Sequence, residues 1–163
     1  MKKIIFSVLV VAVIFSACEK EEVVVIPTTV PQEETTTSFT CTIDGIDYDG
    51  SNTISTDLTS DFLTITSSEG ESAVSVKVPG ISIRNVGDEI SFLGAIGYGQ
   101  VISPSGTYWN TNFDASKGKI IITEIDLDNS KISGTFFFEA EDVATGSFVK
   151  VNVTSGEFTY VSF

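Results

Sequence analysis

The chain has 163 residues, a formal net charge of −13 and no histidine. That length holds one ordinary domain beside a leader, and so acidic a chain lacks the basic face that nucleic-acid phosphates demand. Without histidine it lacks the usual general base near neutral pH and the commonest zinc ligand, so no enzyme, cofactor or metal is expected.

The first residues read as an address. Lys2 and Lys3 precede an apolar run from Ile4 to Phe15. The run is shorter than the roughly 20 apolar residues of a membrane-spanning helix and fits a cleaved secretory signal over residues 1–17. It meets Phe15-Ser16-Ala17-Cys18. Small residues before a cysteine resemble the lipobox of bacterial lipoproteins, with Phe15 standing where leucine is usual. That resemblance implies cleavage before Cys18 and acylation of Cys18. Several acyl chains anchor durably in a bilayer, since each buried methylene contributes about 0.8 kcal/mol. Losing Lys2 and Lys3 takes the mature chain to −15 (−13 − 2).

Lys20-Glu21-Glu22 resembles the short basic-acidic-acidic signal that sends Bacteroidetes lipoproteins to the cell surface. The expected location is therefore the outer membrane, lipid-anchored and facing outward. Residues 18–38 read as a tether. Pro27 and Pro31 cannot donate to a sheet ladder, and some twenty extended residues reach roughly 65 Å.

Residues 39–163 carry strand signals and almost no helical period. Phe39, Cys41 and Ile43 alternate with threonines, which makes Cys41 a core thiol rather than a nucleophile. Asp44-Gly45 is a tight-hairpin signal. Leu63 and Ile65 alternate with Thr64 and Thr66; Glu69-Gly70 turns; Val74, Val76 and Val78 alternate with Ser75 and Lys77, giving one dry and one wet face. Pro79-Gly80 ends that hairpin. Ile90 and Phe92 read as strand. Gly94, Gly97 and Gly99 suggest bulges or close backbone approach, and Pro104-Ser105-Gly106 is a turn before Tyr108 and Trp109.

The last third reads as a three-stranded meander: Lys119 to Ile125, a turn at Asp128-Asn129-Ser130, Lys131 to Ala140, a turn at Ala144-Thr145-Gly146, and a strand with Val149, Val151 and Val153 on one face. Gly156 marks a bulge before Phe158. Phe136, Phe138, Val149, Val151 and Val153 are expected in the core, with Ile120 and Ile122 opposite. The prediction is an all-β domain, an antiparallel β-sandwich or partly open barrel of about ten short strands.

Gly118 to Thr123, Ile132 to Phe138, Val151 to Phe158 and Phe39-x-x-x-Ile43-Asp44-Gly45 resemble an uncharacterised family of Bacteroidetes lipoproteins. Its members pair a lipobox with one β-rich domain of unknown function. The resemblance implies address and fold, and brings no chemistry with it.

Three constellations remain. Asp44, Asp47 and Asp49, and separately Glu124, Asp126 and Asp128, bring acids together, but neither spacing matches a calcium loop. Tyr98, Tyr108 and Trp109, with Tyr160 further on, offer a stacking surface for a sugar, though sheet proteins bury most such rings. No pair of carboxylates is singled out for glycoside hydrolysis. The expected function is a non-enzymatic binding or interaction module. Its partners would be the bilayer, through Cys18, and a protein or glycan; the alternative is a glycan-binding accessory module of a polysaccharide-uptake system.

Overall fold

The computed structural model describes residues 36–92, 98–111, 117–142 and 149–163. Cys18, Lys20, Glu21, Glu22, both tether prolines, Gly94, Gly97 and the turn at 144–146 lie outside the described residues. The described residues form eleven strands: β1 Ser38–Ile43, β2 Ile46–Asp49, β3 Ile54–Leu58, β4 Phe62–Glu69, β5 Ser72–Pro79, β6 Glu89–Ser91, β7 Tyr98–Ile102, β8 Tyr108–Asn110, β9 Gly118–Asp126, β10 Lys131–Asp142 and β11 Lys150–Ser162. Of the two predicted architectures, the chain adopts the open barrel. One antiparallel sheet curls into a half-barrel in the order β2-β1-β11-β10-β8-β7-β5-β4-β3.

The sheet forks at β10. One edge of β10 carries β11. The other carries β9 from Lys131 to Phe138, then β8 at Glu141 and Asp142. β6 extends the branch by pairing with β9.

Local sequence explains the turns. Asp44 and Gly45 both have positive φ (48° and 84°), as a tight hairpin between the paired Ile43 and Ile46 requires. In the β7–β8 hairpin, Gly106 N donates to Ser103 O at 2.9 Å.

Strand alternation supplies the core. Phe39, Leu63, Ile65, Val74, Val76, Val78, Ile120, Ile122, Phe136, Phe138, Val153 and Phe158 all point inward and are buried. The rings touch in series. Phe92 meets Phe138 edge-on at 5.8 Å, Phe138 stacks on Phe136 at 6.2 Å, and Phe136 contacts Phe39 at 5.2 Å and Phe158 at 6.3 Å. Three of these rings lie against glycines: Phe138 on Gly99 of β7, and Phe136 on Gly156 and Phe158 on Gly134, each its ladder partner across β10 and β11. A Cβ at Gly99 would collide with the Phe138 ring, so this glycine marks the close approach its strand position suggested.

The bulge expected at Gly156 is present. Thr40 pairs with Glu157 but Thr42 with Thr154, and Phe136 pairs with Gly156 but Phe138 with Val153. Ser155 takes a left-handed φ of 51° there. Such an irregularity bends a strand and raises its twist.

Two expectations need correction. Val149 is not core; it precedes β11 and is 58% exposed, because pairing with β10 starts only at Lys150. The outer face of β5 is not uniformly wet. Ser75 is buried and shares a hydrogen bond with Thr66 at 2.9 Å across the β4–β5 ladder. The strand β3 has no counterpart in the sequence reading. Four of its five residues are exposed, so the hydrophobic alternation that marks the other strands is faint.

Gly99→Ala should destabilise the domain by roughly 1–3 kcal/mol, the usual cost of overpacking. Adding Phe138→Leu should recover part of that loss, because a smaller side chain makes room for the methyl group. Urea melts of the single and double variants test this; a neutral Gly99→Ala would disprove the contact.

Candidate functional site

The two ends of the curled sheet do not pair as strands. Side chains tie them instead. Tyr48 Oη of β2 donates to Ser67 O of β4 at 2.7 Å, and Asp49 N donates to a Glu69 carboxylate oxygen at 3.2 Å. The short 3-10 turn Ser51–Thr53, which links β2 to β3, adds two contacts: Ser68 N donates to Thr53 Oγ1 at 3.0 Å, and Thr53 Oγ1 donates to Ser68 O.

Where this seam meets the ends of three hairpins, a cleft of about 250 Å³ opens. Ile43, Ile46, Asp47 and Tyr48 come from the β1–β2 hairpin, and Glu69 and Ser72 from the β4–β5 hairpin. Val101, Ile102, Ser103, Pro104 and Trp109 come from the β7–β8 hairpin, and Val151 from β11. The lining is largely apolar and includes two acidic residues, Asp47 and Glu69.

Trp109 is the chain's single tryptophan. Its ladder partner is Val101, so it faces inward and packs against the core. Its indole N–H is buried without a hydrogen-bond partner among the described residues. A buried donor left unsatisfied costs about 1–3 kcal/mol, and most such groups in folded proteins find a partner.

The three aromatic residues singled out in the sequence are not brought together. Tyr108 pairs with Ile102 and lies with Tyr98 on the outer face of β7 and β8, opposite to Trp109. Lys77 Nζ covers the Tyr98 ring at 5.2 Å and the Phe62 ring at 4.2 Å. Burial, and then Tyr108, pushes the Tyr98 hydroxyl pKa up. Tyr160, in β11, is half-buried with a positive φ of 48°, and its N–H donates to Ser133 Oγ at 3.0 Å. No single face carries all four rings.

The acidic groupings also separate. Asp44 accepts from Asn152 N at 2.8 Å, and Asp49 accepts from Ser51 N at 3.0 Å. Asp126 accepts from Asn129 N at 3.0 Å and from Asn129 Nδ2 at 2.6 Å, and these bonds hold its pKa below the usual carboxylate range. These three acids cap turns or brace neighbouring strands. Among the described residues no group of three or more cysteine or acidic side chains gathers to hold a metal ion. Glu139 is bonded by Lys150 and Lys117, which lower its pKa, and Lys150 also reaches Glu141.

Cys41 sits on the inner face of β1, buried and free, opposite Tyr48. Burial, reinforced by Glu69, pushes its thiol pKa up to about 12. Burial also raises the Tyr48 hydroxyl. Such a thiol is inert where a nucleophile would need a depressed pKa.

Residues 35–162 match the profile of a domain of unknown function, DUF6252. The chain belongs to this family. No curated protein and no solved structure is significantly similar to the chain. For this DUF6252 domain the cleft was only partly visible in the sequence. Trp109 drew notice as an aromatic residue and Asp47 as one of an acidic group weighed for calcium, whereas Ile46, Glu69 and Pro104 read as ordinary hairpin residues and Tyr48 gave no signal. Only the meeting of three hairpin ends brings them together.

The raised thiol pKa makes stability pH-dependent. The unfolded thiol ionises from about pH 9 and the folded one only near 12, so this contribution is complete below pH 9 and lost between 9 and 12. In a Cys18→Ser background, Cys41 should resist a thiol reagent until urea unfolds the domain. Its Cys41→Ala derivative should lose stability less steeply than the parent between pH 8 and 10.5. Rapid labelling of native Cys41 would contradict its burial.

Proposed function

We propose that this DUF6252 domain is a non-enzymatic binding module, carried on a lipid anchor at the outer membrane and displayed at the cell surface. The observation that carries the binding reading is the cleft beside Trp109. It combines apolar walls with a few polar groups, and Trp109, one of its lining residues, carries a buried indole N–H that has no partner among the described residues. Ligand sites are concave and mostly apolar, with a small number of placed polar groups.

The display reading rests on the sequence. Cys18 at the end of an apolar leader, followed by Lys20, Glu21 and Glu22 and a proline-containing tether, describes a surface lipoprotein of the Bacteroidetes type. The bilayer is then one partner, through acylated Cys18, and the ligand of the cleft is the other.

The remaining chemistry supports binding over catalysis. The thiol is deeply buried, and Glu139 is kept ionised by its lysines rather than protonated as a general acid would be. The glycan reading relied on Tyr98, Tyr108 and Trp109 acting together, and their division between two faces of the sheet weakens it.

In the native bacterium, metabolic labelling with a palmitate analogue should mark the wild-type protein and not Cys18→Ala, which should leave the membrane fraction. Protease added to intact cells should release the domain from wild type. An unlabelled wild-type protein would refute the anchor, and full protection from protease would refute surface display.

A further inference from the structure

β3 ends the sheet, and among the described residues no strand pairs with its other edge. The direction of its backbone groups follows from the turn that leaves it. Thr59 N donates to Phe62 O at 2.8 Å, one step beyond the pairing of Leu58 with Leu63. Residues of an antiparallel strand turn their N–H and C=O to alternate sides. Ser55 and Asp57 therefore turn theirs to β4, and Ile54, Thr56 and Leu58 turn theirs to the open edge. Such a row of backbone groups is a template for another strand.

The side chains are laid out to match. Ile54, Thr56 and Leu58 stand opposite Ser67, Ile65 and Leu63, and directly opposite residues share a face. Those three partners are fully buried, whereas Leu58 is 49% exposed. Cover on the concave side thus fails at β3, beside the position that a further strand would take.

The order Ile-Ser-Thr-Asp-Leu has the same polarity read from either end. A two-fold pair needs this, because a contact of i with j must recur as a contact of j with i. Antiparallel pairing of two copies about Thr56 sets Ile54 against Leu58 of the second copy, Ser55 against Asp57, and Thr56 against its own counterpart. Apolar side chains then meet on the concave face, and no like charges stand directly opposite. Every backbone group that faces the open edge finds a partner.

We propose that β3 pairs with β3 of a second copy of this chain, in register about Thr56, so that two half-barrels share one antiparallel sheet. A five-residue pair falls well short of the roughly 1,200 Å² of a stable interface, and two chains of net charge −13 repel each other. The dimer is accordingly weak and short-lived, and a covalent trap reveals it.

At the two-fold position the Cα atoms of a hydrogen-bonded pair lie about 5.5 Å apart, within the range of roughly 4.4–6.8 Å that a disulfide spans. Diagonal neighbours, about 7–8 Å apart, lie beyond it. Variants of the full chain are expressed in the native bacterium, and broken cells are oxidised with copper(II)-phenanthroline. Thr56→Cys should give a reducible band at twice the mass of the chain, at least five-fold stronger than Asp57→Cys, whose counterpart is diagonal. The wild type, with Cys18 and Cys41, sets the background. Adding Leu58→Pro removes an N–H from the open edge and none from the ladder with β4. It should abolish the band and leave the protease resistance of the domain unchanged. No band above background, equal yields from the two cysteine variants, or a band that survives Leu58→Pro overturns the pairing. A reducible adduct of another mass gives the edge to a different protein and overturns the dimer as well. Should Leu58→Pro lose its fold, the ratio of the two cysteine variants still decides.

Discussion

The fold depends on phenylalanine rings lying across glycines. A sheet curls tightly only if its concave side has room for the inward side chains, and bulky residues on every strand would crowd it. Here β10 contributes Phe136 and Phe138, and the strands that receive the rings present Gly156 and Gly99. The space a side chain would occupy is filled by an aromatic ring from elsewhere, so the interior keeps the dense packing of protein cores. The bulge around Ser155 adds local twist on the same strand that receives Phe136. Ring, glycine and bulge act together, and β10 becomes the strand about which the sheet forks.

Curling brings β2 and the end of β4 together without making them a ladder. A full ladder would have closed the barrel and removed its edges. The chain instead uses Tyr48, Asp49 and the turn at Ser51–Thr53 to bridge the gap with hydrogen bonds. A seam of side chains leaves room that a ladder would have filled, and the cleft beside Trp109 opens there. The tie also costs something, since Ser67 Oγ is buried at this seam without a partner among the described residues. Gly50 lies so near Ser67 that a Cβ there would strike the hydroxyl.

Much of the fold was legible in the sequence. Asp44-Gly45, Glu69-Gly70 and Pro104-Ser105-Gly106 announced hairpins because the required backbone angles favour those residues. The valine alternation of β5 and the phenylalanines of β10 announced core faces. Val149 misled because alternation continued one step past the point where pairing with β10 begins. β3 was silent because a mostly exposed edge strand carries little hydrophobic signal. The cleft was illegible for a different reason. Its residues lie on three hairpins and β11, and spacing along a chain carries no record of which loop ends will meet. Trp109 was noticed for its chemistry, yet its grouping with Tyr98 and Tyr108 failed on a matter of parity, since neighbours in a strand point to opposite faces.

The seam and the cleft share their parts, so under the binding function proposed above stability and binding are coupled. Tyr48 ties the ends of the sheet through its hydroxyl and is also a lining residue of the cleft. Glu69 braces Asp49 with one oxygen and lines the cleft as well. Cys41, packed opposite Tyr48, lies beneath both and feels the charge of Glu69. A ligand that engages Glu69 therefore acts on a group that also holds the half-barrel together. Ligands that bind only the folded state stabilise it by mass action, and here the gain falls on the seam, the part of the sheet without a ladder of its own. The open closure of the barrel and the cleft are thus one structural choice: residues whose hydrogen bonds substitute for a strand pair also line the cleft.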